Sequence, residues 1–200
     1  MVAPYMADEV RPLVNSVPAT LQVVDHPAAE CSEPRFEMVT LPPTSELAEE
    51  LDGAAEWLGV SGDEVLLAAL GRAIGRTRGE GAVSVDVTGE HRRLVRTVSL
   101  ICSDAPAMGP TEMLQGAHTA LTAAPGTPTA RAEVLLNVAA DVDDADESHL
   151  LELRVCRVGG QLGLAWRYDV TRFDAYSIEE LAEQFPLALI EITSDAAAPL

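Results

Sequence analysis

Apolar residues recur at three- and four-residue spacing in four stretches of the chain, and each stretch predicts an amphipathic helix. The first helix is expected over residues 47–58 and ends at Gly59. The second is expected to begin at Ser61, because Ser61 and Glu64 have the spacing of a capping box, in which each side chain accepts the other residue's backbone N–H. Its apolar stripe continues to about Arg76.

The third and fourth helices have weaker start signals. Thr111 is expected to cap the third helix, which ends before Pro125. Ser177 and Glu180 repeat the capping-box spacing and predict the start of the fourth. Pro186 lies inside that last helix and predicts a kink or local break, because proline lacks the backbone N–H that the helix uses.

Alternating apolar and polar residues predict the strands. Residues 82–88 place valine at every second position, which is typical of a half-buried strand. Two further alternating runs flank Gly159-Gly160, and this pair predicts a tight hairpin because glycine tolerates the positive φ angles of such turns. The other expected strands are residues 21–24, residues 36–41 before Pro42-Pro43, residues 95–102 and residues 134–139.

Helices and strands are mixed without a regular strand-helix-strand series. This order predicts an α/β fold, a layered sandwich whose mixed or largely antiparallel sheet is covered by helices. We expect residues 1–35 to form an extended lead-in, residues 36–193 to form one folded lobe, and residues 194–200 to be a frayed tail.

Composition narrows the class of protein. Hydrophobic residues make up 48% of the 200 residues, which predicts a folded domain, and no apolar run approaches the roughly 20 residues that cross a bilayer. The N-terminus lacks the pattern of a signal peptide, and the three cysteines lack metal-ligand spacing, so we expect a cytoplasmic protein with reduced thiols. The net charge of −19 argues against binding to nucleic acid or to anionic membranes.

Several segments, taken in order, resemble the condensation and epimerization domains of nonribosomal peptide synthesis. The segments are LLAALGRAI at 66–74, VDVTGEHR at 85–92, RTVSLICS at 96–103, EVLLNV at 133–138, GQLGLAWRY at 160–168, and residues 177–189.

The resemblance implies a single lobe, the C-terminal one, of a chloramphenicol acetyltransferase-like fold. The sequence departs from the family at two points that matter for chemistry. It contains no His-His-x-x-x-Asp-Gly, and its four histidines are scattered. Epimerization domains place a catalytic glutamate where Thr88 stands here, with Glu90 two residues later. The chain also looks shorter than the family between Arg96 and Glu133.

Two sets of residues are candidates for function. His91 with Glu90 is the weak candidate for a general base and its orienting group, against the alternative of a polar loop histidine. Six of the thirteen arginines form a stretch that predicts docking of an acidic carrier protein or of its phosphopantetheine phosphate, with charge balancing as the equal alternative. They are Arg72, Arg76, Arg78, Arg92, Arg93 and Arg96. No metal site and no intrinsic cofactor are expected; the acidic run at 141–147 lacks the glycine of a calcium loop.

These observations predict a partial condensation- or epimerization-like domain in nonribosomal peptide or related acyl-conjugate biosynthesis. We expect it to be non-catalytic alone and to work through a carrier protein or a complementary synthetase lobe, with self-association through an exposed apolar face. Two alternatives remain open. One is a reduced acyltransferase or epimerase that uses His91 or Glu90, and the other is a binding module for small molecules or carrier proteins.

Overall fold

The computed structural model describes residues 20–27, 33–89, 95–124, 132–138 and 149–200. Within them, six strands and four helices follow one another in a mixed order, as the sequence predicts. The elements are β1 Phe36–Thr44, α1 Ser45–Leu58, α2 Gly62–Arg78, β2 Gly81–Thr88, β3 Val95–Cys102, α3 Pro110–Ala123, β4 Val134–Asn137, β5 Leu151–Val158, β6 Gln161–Asp169 and α4 Ala175–Asp195.

The six strands form one mixed sheet in the order β1-β6-β5-β4-β2-β3. The pairs β2–β4 and β4–β5 are parallel, and the other three pairs are antiparallel. Alternate apolar residues of the strands share one buried core with the helices, so the helices cover one face of the sheet. The predicted α/β sandwich is therefore confirmed.

Local signals place two helix boundaries and one turn correctly. The side chain of Ser61 accepts the N–H of Glu64, and Glu64 accepts the N–H of Ser61 at 2.8 Å, so the capping box at the start of α2 is confirmed. Gly59 ends α1 with a φ of 68°. Gly159 and Gly160 join β5 to β6 with φ angles of 58° and 81°, which an L side chain rarely adopts.

The predicted N-caps of the last two helices are wrong, because each helix begins earlier. The third helix begins at Pro110, whose fixed φ suits the first helical position, and Gly109 is its N-cap. The fourth begins at Ala175 with Asp174 as N-cap, because the hydroxyl of Ser177 is used elsewhere: it lies 3.2 Å from the carboxylate of Asp25. Pro186 does not break this helix, which runs on to Asp195.

The N-terminal strand predictions also change. Residues 21–24 form no strand; Thr20 alone bridges to Ala82, and the N–H of Leu21 donates to the carbonyl of Ala82. The strand β1 continues past the two prolines to Thr44, with a shift in register after Leu41. Proline is tolerated there because β1 is an edge strand, where one side of the backbone has no strand to pair with.

Within the segment 194–200, for which we predict fraying, residues 194–195 complete α4 and the residues after them lie along α3. The N–H of Ala197 donates to Thr111 Oγ1 at 2.9 Å, and the N–H of Leu200 donates to Gln115 Oε1 at 2.7 Å. The two acceptors are four residues apart, so they face the same side of α3. No helix in the described part of the chain is long and apolar enough to cross a membrane.

Candidate functional site

The side chain of Arg72 is completely buried and joins α2 to the loop after β3. Its guanidinium donates to the backbone carbonyls of Ser103, at 2.8 Å, and of Met108, at 2.6 Å. It also lies 3.2 Å from the carboxylate of Glu191 on α4. One arginine therefore holds a helix, a loop and a second helix together, and it has no surface left for a partner.

Two glycines of α2 allow this close approach. A Cβ atom at Gly71 would lie 2.6 Å from the carbonyl oxygen of Ile101, and one at Gly75 would lie 2.4 Å from the backbone of Ser103. Real Cβ contacts are essentially never this short, and backbone atoms cannot move aside as a flexible side chain can. The glycine spacing thus brings α2 against the end of β3 and places Arg72 on its two carbonyls.

The other described arginines of the stretch also have partners inside the fold. Arg76 lies between Glu191 and Asp104, with its Nε 3.3 Å from Asp104. Arg96 donates to the carbonyl of Leu121 at 3.1 Å. Both are partly accessible, since the side chain of Arg76 is 23% exposed and Arg96 is half-buried. A role for these residues in partner binding stays a prediction, and Arg92 and Arg93 lie outside the described residues.

Arg78 pairs with Asp25 and ties the N-terminal segment to the helices. Asp25 also accepts the backbone N–H of Asp174 at 2.9 Å, at the start of α4. Burial raises the pKa of Asp25, but the hydrogen bonds and charge of Arg78 and the N–H of Asp174 outweigh it, so the pKa is lowered from its ordinary value. The carboxylate is therefore held in its charged form, as a partner for arginine.

His91 and Glu90, the candidate base and its orienting group, lie outside the described residues. Thr88, which the resemblance aligns with the glutamate of epimerization domains, ends β2 opposite Val95 and Asn137. Its carbonyl accepts the N–H of Val138 at 2.9 Å. A threonine hydroxyl is not a base near neutral pH, so this position supplies no proton acceptor of the kind an epimerization domain uses.

The three described histidines each pair with a different carboxylate, and no two of them pair with each other. His26 Nε2 lies 3.1 Å from Asp174, and His118 Nδ1 lies 2.9 Å from Glu64. His149 Nε2 lies 2.9 Å from Asp86, and both of these side chains are buried. The His149–Asp86 pair has the form of a base with its orienting group, but its side chains are only 2% and 4% exposed, so the described residues offer a substrate no access to it.

A buried layer of polar side chains lies on the sheet face opposite the helices, and sequence reasoning missed it. Asp86 accepts hydrogen bonds from Thr97 Oγ1 at 2.5 Å and from the N–H of Ala132 at 3.3 Å, beside the contact with His149. Because Asp86 alternates with buried valines, the sequence pattern predicts that it lies on the solvent face. The alternation predicts the face correctly but not its burial, which depends on residues distant in sequence.

Glu152 is fully buried in the same polar layer and is the centre of a second group of polar side chains. Its carboxylate accepts from Asn137 Nδ2 at 2.9 Å and from Arg154 at 3.1 Å, and lies 3.9 Å from Arg167. The guanidinium of Arg167 also stacks over the ring of Phe36, 3.6 Å from its centre. The attraction between Glu152 on β5 and Arg167 on β6 therefore favours this register over a shifted one.

An open apolar groove of about 530 Å³ runs between β3 and α3. Ser99 and Ile101 line it from the strand, and the helix contributes mostly small residues. Leu200, from the C-terminal segment, lies at its wall with an exposed side chain. The residues of α3 that line the groove are Thr111, Glu112, Gln115, Gly116, Thr119, Ala120 and Ala123.

Metal and thiol chemistry receive no support within the described residues. No group of three His, Cys, Asp or Glu side chains there is placed to hold a metal ion. Cys102 and Cys156 are free thiols, and burial raises the pKa of the Cys102 thiol to about 12, which keeps it protonated and unreactive.

Comparison with known proteins agrees with the predicted resemblance. No family model matches the chain. The chain is 30% identical over 246 aligned positions to one component of the phenolphthiocerol/phthiocerol polyketide synthase, in both Mycobacterium tuberculosis and Mycobacterium bovis. The alignment covers 92% of this chain but only 16% of each relative. Because the alignment is longer than this chain, each relative carries extra residues within the matched span.

Solved structures share the fold at low sequence identity. The epimerization domain from the third module of tyrocidine synthetase B superimposes with a TM-score of 0.70 at 16% identity, over 90% of this chain and 52% of that one. The first condensation domain of the CDA synthetase gives 0.61 at 16% identity, over 92% and 49%. A cyclization-docking bidomain from Sorangium cellulosum gives 0.65 at 17%, over 90% and 46%. The chain thus has the fold of about half of such a domain.

Proposed function

We propose that this chain acts as one lobe of a condensation- or epimerization-like domain in the assembly of nonribosomal peptides or related acyl conjugates, and that it has no activity alone. One observation carries the proposal: the chain matches about half of each solved domain, and it contains no His-His-x-x-x-Asp-Gly. A lobe without the catalytic motif requires the remaining half of such a fold for chemistry, whether that half belongs to the same protein or to a partner.

The arrangement of the described side chains supports a non-catalytic lobe. Thr88 replaces the glutamate, and the buried His149–Asp86 pair has no path to solvent within the described residues. His118 is partly exposed, but its Nδ1 is bound to Glu64, which also caps α2, so this pair joins two helices. A general base must come within hydrogen-bond reach of a substrate proton, and none of these groups lines the groove beside β3.

The purified protein is expected to produce neither a condensed nor an epimerized product from an aminoacyl-loaded carrier protein. The test is a single-turnover incubation with two peptidyl carrier proteins, a donor and an acceptor, each bearing an L-aminoacyl-phosphopantetheine arm. Chiral analysis of the released amino acids would report epimerization, and mass spectrometry of the released products would report peptide formation. The proposal would be contradicted, and the enzymatic alternative favoured, if the protein shows turnover that is lost in His91→Ala but kept in His26→Ala.

The carrier protein itself is the partner we propose for the arginine stretch, with Arg72 excluded by its burial. Arg76 and Arg96 remain partly accessible, and they are expected to act by charge steering. The association rate with an acidic carrier, measured by surface plasmon resonance, should fall steeply as salt rises, and Arg96→Glu should slow it further. The matched control is Arg157→Glu, at an exposed arginine that pairs with Asp52. A salt-independent rate, or equal slowing by both variants, would leave these arginines with a structural role only.

A further inference from the structure

The elements β3 and α3 together carry no net charge in a strongly acidic protein. The 22 residues of these two elements contain one arginine, Arg96, and one carboxylate, Glu112, whereas the whole chain carries a net charge of −19. By contrast, α1 alone contains five carboxylates and packs against β6 and α4, at the other end of the sheet. A second copy of so acidic a chain is repelled from most directions but not from this one.

The two edges of the sheet also differ. The strand β1 carries Pro42 and Pro43 and a shift in register, features that discourage contact with another chain. The strand β3, at the other edge, contains neither, and it pairs only with β2 among the described strands. The apolar groove lies along this edge, between β3 and α3.

The two charges on this side lie at opposite ends. Arg96 bonds the carbonyl of Leu121, near the end of α3, whereas Glu112 is in the first turn of the helix. Nine residues at 1.5 Å each separate the two helix positions by about 14 Å, which is too far for a pair within one chain. In an antiparallel arrangement of two copies, each arginine comes to lie near the glutamate of the other.

We propose that a second copy of this chain docks on this side, with α3 antiparallel to its symmetry mate about a two-fold axis. Arg96 of each copy then faces Glu112 of the other, so the interface is self-complementary, as two-fold symmetry demands. Gly116, Ala120 and Ala123 line the groove with little side-chain bulk, which lets two helices approach closely. This assembly does not require the proposed role with a carrier protein, but both involve Arg96, so a carrier and a second copy would compete for this residue.

Sedimentation velocity of the full chain over a wide concentration range tests the proposal. The wild-type protein should show a reversible monomer–dimer equilibrium. Arg96→Glu alone, or Glu112→Arg alone, should weaken the dimer about thirtyfold, because each reversal turns two exposed attractions into two repulsions. The double variant Arg96→Glu/Glu112→Arg should restore the wild-type dissociation constant, which a merely structural role for either residue would not predict.

A matched pair of glycine variants tests the close approach. A Cβ at Gly116 or at Gly53 would meet no atom within 4 Å, so a side chain can begin at either position without a clash at its Cβ. Gly116→Leu fills the groove and should abolish the dimer, whereas Gly53→Leu, on the exposed side of α1, should leave it unchanged. A chain that stays monomeric at every concentration, or single reversals without effect on a dimer, would overturn the proposal.

Discussion

Replacing Gly75 with alanine is expected to lower the free energy of unfolding by about 3 kcal/mol, the upper end of the usual cost of overpacking a core. The new Cβ would lie within 2.5 Å of three backbone atoms of Ser103. To remove this steric clash, α2 must move away from the end of β3. That movement also lengthens the hydrogen bond from Arg72 to the carbonyl of Ser103. Equilibrium urea unfolding, monitored by far-UV circular dichroism, measures the change.

Gly116→Ala is the matched control, because it places the same methyl group in another helix where no atom lies within 4 Å. Alanine is intrinsically better in a helix than glycine by about 1 kcal/mol, so this variant should be slightly more stable than the wild-type protein. If both variants shift stability in the same direction, helix propensity rather than close packing governs these glycines, and our account of the contact between α2 and β3 is wrong.

Arg72→Met should be nearly as destabilising, by about 3 kcal/mol. Methionine keeps most of the side-chain volume but leaves the carbonyls of Ser103 and Met108 without their donor, in an interior that excludes water. Glu191 retains Arg76 as a partner, which limits the loss. The measurement is again equilibrium unfolding, with Arg157→Met as control: the exposed Arg157–Asp52 pair should contribute no more than about 0.5 kcal/mol.

A double-mutant cycle separates the ion pair from the two carbonyl contacts. If Arg72 acts mainly through the carbonyls, adding Glu191→Gln to Arg72→Met should cost almost as much as Glu191→Gln does in the wild-type protein. A coupling energy as large as the whole effect of Arg72→Met would instead assign its role to the ion pair with α4, and the loop after β3 would lose its proposed anchor.

The candidate site shows where prediction from sequence ends. The arginine stretch is visible in the sequence, but the burial of Arg72 is not, because its partners lie 31 and 36 residues away on a loop. Arg76 and Glu191 are separated by 115 residues. Asp86 and His149, separated by 63, meet only because the sheet brings β2 close to the start of β5. No pattern within a single element records such partners.

Local sequence is sufficient for the features that depend on neighbouring residues: the capping box of Ser61 and Glu64, the Gly159-Gly160 turn, and the periodicities that separate helix from strand. These features rest on hydrogen bonds and φ angles within a few residues. Tertiary contacts, by contrast, set which charges are buried and where Ser177 directs its hydroxyl. Burial of a charge requires partners from other elements, and the fold alone brings those partners together.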